Sequence, residues 1–485
     1  MLHFKSGIAA LCAAALLLTS GCGTAAPASE ASAAPVDAGS PVSITVWNYY
    51  NGDQLDAFNR MVDEFNETVG KEKGIEVSSY SQGGVSELET NVLAAAEGKV
   101  GADPMPNIFS GYADTTYALD QMGMVVDLSD YLTEEERSAY IDGYLEEGDF
   151  SGTGSIKIFP TAKSTELLFL NKTDWEPFAE ATGATYDDLQ TIEGVVETAE
   201  KYYQWTDSLT PEEGDGKAFF GRDAMANYML IGARQLGCTI FDVQDGKMTL
   251  NFDKEVIKTL WDNYYVPFIK GYFSASGKFR SDEVKTGNII AYAGSSSSSS
   301  FFPSEVITSD TESHPIEHEV LPAPRFRDGE NYAVQQGAGM VVTKADAKEV
   351  QASVEFLKWF TAPEHNITFS IGSGYLPVTK AGSKLETIKE NTPDLSSSIE
   401  QVLEQALDTV NNCTLYTPTA FSNGTDARAV LEYALSDAAT ADRSTVEERM
   451  AQGQDFETAA EEFLSADRFE RWYQDIQTEL QQYAG

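Results

Sequence analysis

Apolar and polar residues alternate in VSITVWNYY, where Val42, Ile44 and Val46 fall on one side of an extended chain before aromatics take over. A period of two over this length predicts a strand. The period then lengthens. In DQLDAFNRMVDEFNETVGKEKGIEVSSYS, Leu55, Phe58, Val62, Phe65 and Val69 share one helical face, and Gly70 or Gly74 ends the helix. Ile75 to Val77 begin another strand. Strand, helix and strand in this order make a βαβ unit, and hence a parallel sheet in an α/β protein.

The same grammar recurs along the chain. PNIFSGYADTTYALDQMGMVVDLSDYL predicts a strand, a short helix and an apolar patch from Met124 to Leu128, and IKIFPTAKSTELLFLNKTDW predicts two short strands flanking a polar break. KMTLNFDKEVIKTLWDNYYVPFIKGY gives a strand after the turn Asp245-Gly246, then a helix with Val256, Leu260 and Tyr264 on one face. NIIAYAGSSSSSSFF is a strand running into serines. GAGMVVTKADAKEVQASVEFLKWFT is a strand followed by a helix with Val350, Val354, Leu357 and Trp359 inward. From about Asp426 the chain is helical, with acidic residues over its exposed side, and no fixed-period repeat is present. FPTAKSTELLFLNKT and GSGYLPVTKAG both read as extended connections between alternating blocks. Two α/β lobes joined by crossing strands produce that arrangement, with the ligand cleft between them. The expected division is 43–160 plus about 325–375 for one lobe, and about 165–320 plus 380–485 for the other.

The N-terminus changes the picture. The apolar run from Gly7 to Leu18 would reach ~18 Å as a helix against a hydrocarbon thickness of ~30 Å. With Lys5 ahead of it, the run reads as a signal peptide over residues 1–21 rather than a membrane span. Thr19-Ser20-Gly21-Cys22 resembles a bacterial lipobox, in which Cys22 is acylated and becomes the first residue of a lipoprotein. It departs from that pattern in having Thr19 where leucine is usual, with Leu18 one place further out. Residues 22–42 then form a tether rich in alanine, proline and serine, with too little apolar surface to offset its ordering entropy. Roughly 440 residues remain, comfortable for two lobes.

Lys and Arg number 33 against 76 Asp and Glu, a formal charge of -43. That field repels nucleic acid and anionic lipid surfaces, so neither is an expected partner. No later apolar run is long enough to cross a bilayer. Cys238 and Cys413 are either isolated buried thiols or a disulfide, which an extracellular location permits. His314 and His318, in the loop-like SHPIEHEV, read as a solvated face, and no metal or cofactor is expected.

Taken in order, ITVW with its amphipathic helix, PNIFSGYADTTYALDQMGMVVDLSDYL, FPTAKSTELLFLNKT, IIAYAGSSS and FLKWFTAPEHNITFSIGSGYLPV resemble the extracellular solute-binding proteins of bacterial ABC importers. The nearest group is the carbohydrate-binding one related to maltose-binding protein and to the glycerol-3-phosphate binder. The resemblance covers essentially the whole body, through an ordered set of weak motifs. It implies a periplasmic-binding-protein-like fold, a monomer anchored by lipid at the outer face of the cell membrane, and delivery of ligand to separate ABC permease subunits.

Sugars offer C–H faces to aromatic rings and hydroxyl rims to charged and amide groups. The resemblance places the loop of Tyr49 and Tyr50 at the cleft, where either one of these tyrosines faces ligand or the pair caps the core, and it likewise places Tyr112 and Asp114 in GYADT at the cleft. Lys163, Ser164 and Glu166 lie where the hinge meets the site; Lys163 and Glu166 either bind ligand or pair with each other. Ser295 and Ser296 open the serine run, which is either a linker or a strand-to-helix junction offering hydroxyls; the strand IIAYAG before it favours the junction. Gly374 and Tyr375 lie on the other cleft loop, and Tyr416 and Phe421 fall where related sugar binders put an aromatic platform. Trp175 and Trp261 read as packing residues.

An enzyme is the rival from another class. A glycosidase needs two carboxylates at a set separation, which sequence does not show. A serine hydrolase wants G-x-S-x-G, and Gly294 to Ser298 lacks the closing glycine. No phosphate-cradling Walker loop is present. The expected function is capture of a sugar or oligosaccharide by closure of the lobes. A glycerol phosphate or another polar solute is the alternative ligand, although no obvious basic set supports a phosphate.

Overall fold

The computed structural model describes residues 41–485, apart from Asp245 and Asp310. The expected signal peptide, Cys22 and the tether to residue 40 lie outside the described residues.

The first sheet has four strands in the order Gly339–Val342, Ile108–Gly111, Val42–Asn48, Ile75–Ser81. The last three run parallel and the first is antiparallel to its neighbour. The βαβ unit is as predicted, with Val42 opposite Ile75 and Asn48 opposite Ser81. Its helix Gly52–Phe65 buries Phe58, Met61, Val62 and Phe65 against the sheet. The helical path then continues through a wider turn, Asn66–Gly70, and stops at Gly74, whose φ of +67° is left-handed. Gly70 sits so close to its own chain that a Cβ would lie 2.7 Å from Ile75 O, so no larger residue fits.

The second sheet has the order His318–Pro322, Glu166–Asn171, Ala291–Ser295, Phe220–Arg222. Its strand ELLFLN is buried at every position, because helices cover both faces, and this explains a continuous apolar run where alternation is absent. The core of this lobe gathers Trp175, Phe178, Tyr202 and Phe219 on one side and Trp261, Phe469 and Trp472 on another, so Trp175 and Trp261 are packing residues.

Three stretches pass between the sheets. Phe159 bridges Met340 in the first sheet, Lys163 bridges Leu376, Ser164 bridges Gln336, and the chain joins the second sheet at Glu166. The chain returns from Pro322 through Tyr332–Val334 to Gly339, and crosses again after the helix Pro363–Ser373. The first pass explains why IKIF forms no regular strand. Phe159, Lys163 and Ser164 each bridge a different partner, so the segment is drawn between sheets instead of lying along one.

Other local expectations change in detail. Trp359 is half-buried and stacks on His365 with ring centroids 4.0 Å apart, while Phe356 and Phe360 take the inward positions. The SHPIEHEV stretch is not a loop: His314 lies in the strand Glu312–Pro315 and pairs with Asp174, and His318 opens a strand of the second sheet and bonds Ser398. Cys238 and Cys413 are free thiols. The serine run is a strand end followed by a 3-10 turn, Ser296–Phe301, with Ser295 Oγ accepting the Ser297 N–H. Among the described residues no helix is long and apolar enough to cross a membrane, and no group of side chains has the makings of a metal site.

Candidate ligand cleft

A cleft of ≈ 600 Å³ opens between the two sheets, with the crossing segments as its floor. The walls are built from residues that follow strands and from the cleft-facing sides of helices. On the first lobe, Tyr112 precedes the helix Ala113–Gln121 and Asp114 lies in its first turn. Behind them Tyr49 follows the strand Val42–Asn48, stacks on Tyr112 at 6.2 Å, and shares a hydroxyl hydrogen bond of 3.1 Å with Tyr375. The second lobe contributes Ser295 and Ser297 from the serine junction, Asn227 from the helix Met225–Gln235, and Arg428, Glu432 and Tyr433 from the helix Gly424–Ala451.

Of the residues predicted from sequence, Tyr112, Asp114, Ser164, Ser295 and Tyr375 line this cleft. Tyr49 supports it from behind. Tyr50 does not reach it: the residue is 1% exposed, and its ring packs on Phe58 and Phe369 in the core. Lys163 is fully buried under the floor, paired with Glu147 and donating to Gly337 O at 2.8 Å. Glu166 does not pair with Lys163. It accepts from Arg222 and from Asn227 Nδ2, the latter at 2.9 Å, and faces a separate cavity of ≈ 250 Å³ behind the crossing segments. Ser296 turns inward, its Oγ accepting the Thr165 N–H. Gly374, with φ +76°, lets the first lobe meet the serine turn: a Cβ there would lie 2.9 Å from Ser297 O. Tyr416 and Phe421 form no platform in the cleft. Tyr416 packs edge-on against Tyr332 beside Arg234, and Phe421 is a core residue against Phe241.

Several cleft residues escaped the sequence reading. Glu89, Glu147, Asn227, Arg428, Glu432 and the pair Gln335-Gln336 all line it. Gln335-Gln336 carried a usable signal, two amides immediately before an apolar strand. The helical residues carried none, since only tertiary packing turns one helical face to the cleft.

The polar groups are organised. Arg222, Glu166, Asn227 and Arg428 form a hydrogen-bonded chain from the second sheet to the cleft, ending where Arg428 Nη2 donates to Asn227 Oδ1. Burial pushes the Asp114 carboxyl up to about 6; Arg428 opposes the shift, Glu89 adds to it, and the Phe421 N–H opposes it. Burial also raises Glu89, against a hydrogen bond from Thr115. Removal from water drives the phenols of Tyr112 and Tyr375 well above the ordinary range, so both act as neutral hydrogen-bonding groups. Gln335 Nε2 and Gln336 Oε1 are buried without a partner, a donor and an acceptor left over at the cleft floor.

The lobes touch across the cleft through glycines. A Cβ on Gly424 would lie 2.2 Å from Asp114 Oδ1, and one on Gly246 would lie 2.3 Å from the Tyr117 hydroxyl. Only the smallest residue lets the two sides approach this closely.

Two α/β lobes stitched by repeated crossings around a polar, tyrosine-lined cleft define the hinged, two-lobe, periplasmic-binding-protein-like class. The family profile of the bacterial extracellular solute-binding proteins matches residues 60–393, and the chain belongs to that family. Solved structures of the same fold include the cyclic α-maltosyl-1,6-maltose binding protein of Arthrobacter globiformis. It is 18% identical with a TM-score of 0.62, and the match covers 90% of this chain and 99% of that one. UgpB of Mycobacterium tuberculosis in complex with glycerophosphocholine is 19% identical, TM-score 0.64, covering 90% and 97%. An ABC substrate-binding protein of Listeria monocytogenes in complex with cycloalternan is 16% identical, TM-score 0.62, covering 91% and 99%. Comparison with curated protein sequences gives no match.

Proposed function

We propose that the protein captures a sugar or oligosaccharide in this cleft, closes its lobes around it, and presents it to the permease subunits of an ABC importer. In this reading it acts as a monomer at the outer face of the membrane, anchored by an acyl group on Cys22, and binds its ligand without turning it over. The observation that carries the reading is the floor of the cleft. Gln335 Nε2 and Gln336 Oε1 stand buried without partners in the cleft that Tyr112 and Tyr375 also line. A polyhydroxylated guest supplies both the acceptor and the donor these amides lack, while the rings take its C–H faces. Ligand that bridges both lobes stabilises the shut form by its differential affinity.

Titration with mono- and oligosaccharides, followed by melting temperature, tests the reading. A ligand at a hundredfold excess over its dissociation constant adds about 2.7 kcal/mol. A shift with glycerophosphocholine and none with any saccharide would move the assignment to the phosphodiester. Arg428 is the group that favours this second reading, since it hydrogen-bonds an amide and not a carboxylate.

A further inference from the structure

We propose that the cleft selects saccharides bearing a protonated amine over neutral ones, and rejects those bearing phosphate or carboxylate; the inference rests on the carbohydrate reading of the cleft. The charges lining it are unequal: Glu89, Asp114, Glu147 and Glu432 face Arg428. Lys163 removes only Glu147 from this balance, being wholly buried beneath it and shared with Gly337 O. Three carboxylates from three different helices therefore remain against one guanidinium.

Each of those three carboxylates has at most one side-chain hydrogen bond from the protein and spare acceptor capacity. Glu89 Oε1 accepts from Thr115 at 2.9 Å and Glu432 Oε2 accepts the Ala226 N–H at 2.8 Å, while Asp114 has the field of the Phe421 N–H beside it. An ionised carboxylate offers about four acceptor positions, so all three can take an ammonium N–H. Arg428 is not spread among them. Its Nη2 is committed to Asn227, which is itself held by Glu166 and through it by Arg222.

A second observation points to a polar guest there. Gln335 is 7% exposed, its Nε2 has no partner, and it lines the same cleft as the neighbouring, equally unpartnered Gln336 Oε1. The Gln336 oxygen is one more acceptor for an N–H, and the Gln335 amide is a donor for a hydroxyl oxygen. Charge-assisted hydrogen bonds to carboxylates are roughly twice as strong as neutral ones, and more so out of water. An anionic substituent would meet the opposite field with only one cation to hold it.

The groups facing Asp114 also give the preference a pH signature. Glu89 approaches from the helix Val85–Ala96, Arg428 from the helix Gly424–Ala451, and the Phe421 N–H from the loop before it. An arriving ammonium favours the ionised carboxyl, so binding expels a proton where Asp114 is protonated. Affinity for an amine ligand therefore rises with pH through about 6, and affinity for a neutral ligand does not.

The test is calorimetric titration of the mature protein at pH 5 and pH 7 with 6-amino-6-deoxycellobiose, whose primary alkyl amine is charged at both pH values, its N-acetyl counterpart, cellobiose and glucose 6-phosphate. The expected result at pH 7 is about tenfold tighter binding of the amino disaccharide than of either neutral disaccharide, as one added charge-assisted bond gives. That ratio shrinks at pH 5, glucose 6-phosphate does not bind, and Asp114→Asn lowers the ratio at pH 7. Neutral disaccharides binding as well as the amine would overturn the charge inference and leave the carbohydrate reading standing. Glucose 6-phosphate binding best would also overturn it. Silence from every saccharide would end both.

Discussion

The two walls of the cleft are held in different ways. On the first lobe the groups fix one another at short range. Tyr49 follows a strand, stacks on Tyr112 and bonds Tyr375, while Lys163 and Glu147 form a buried pair beneath. On the second lobe the groups ride on helices and are fixed at a distance, through the relay Arg222, Glu166, Asn227 and Arg428. The lesson is that one wall is a preset surface and the other a positioned one. Damage to the first should be felt as lost stability, and damage to the meeting of the two as lost closure.

The largest expected effect comes from breaking the pair beneath the first wall. Lys163→Met leaves Glu147 buried and uncompensated, which costs about 3–5 kcal/mol in a denaturant titration. Adding Glu147→Leu should restore most of the loss, since replacing both partners removes the stranded charge.

The next effect lies where the walls meet. Asp114 ordinarily titrates at 3.8 and here at about 6, chiefly through burial. A carboxyl raised in the folded state contributes stability that is fully present below the lower value and is lost as pH rises through the upper one. The wild-type melting temperature should therefore fall between pH 4 and pH 7 relative to that of Asp114→Asn. The difference corresponds to at most about 3 kcal/mol, reduced by the partial exposure of Asp114. Parallel curves for the two proteins would show that burial does not act on this carboxyl.

The smallest effect separates closure from stability most cleanly. Gly424→Ala pushes a methyl into Asp114 across the cleft without disturbing either lobe's core. The unfolding midpoint of the free protein should hold within about 0.5 kcal/mol, whereas ligand affinity should fall about tenfold. Small-angle scattering should record the ligand-induced compaction in wild type and its loss in the variant.

The contrast between the walls also explains what was legible in the sequence. The βαβ unit from Val42 to Ser81 and the two crossing segments announce themselves through periodicity and its interruption. Tyr112, Asp114, Ser164, Ser295 and Tyr375 reach the cleft because each lies at or beside the end of a strand or helix, and such places are readable locally. Tyr50 misled because a loop does not declare which of two neighbouring side chains turns into the core. Lys163 and Glu166 sit close in sequence, but each takes a partner supplied by distant chain, Glu147 and Arg222. Arg428 and Glu432 were illegible for a related reason. Their helix carries polar residues on several faces, and only its packing against the helices Met225–Gln235 and Lys254–Ile269 selects the face that looks into the cleft.

The chain travels between the halves more than once, at Phe159–Glu166, at Pro322–Gly339 and after Ser373. Severing any one strap would leave two covalent ties in place, so neither half could drift away or rotate freely about a single bond. Parallel straps resist twisting while yielding to bending, so a swing between the halves would be clam-like and would return the same tyrosines and carboxylates to opposition.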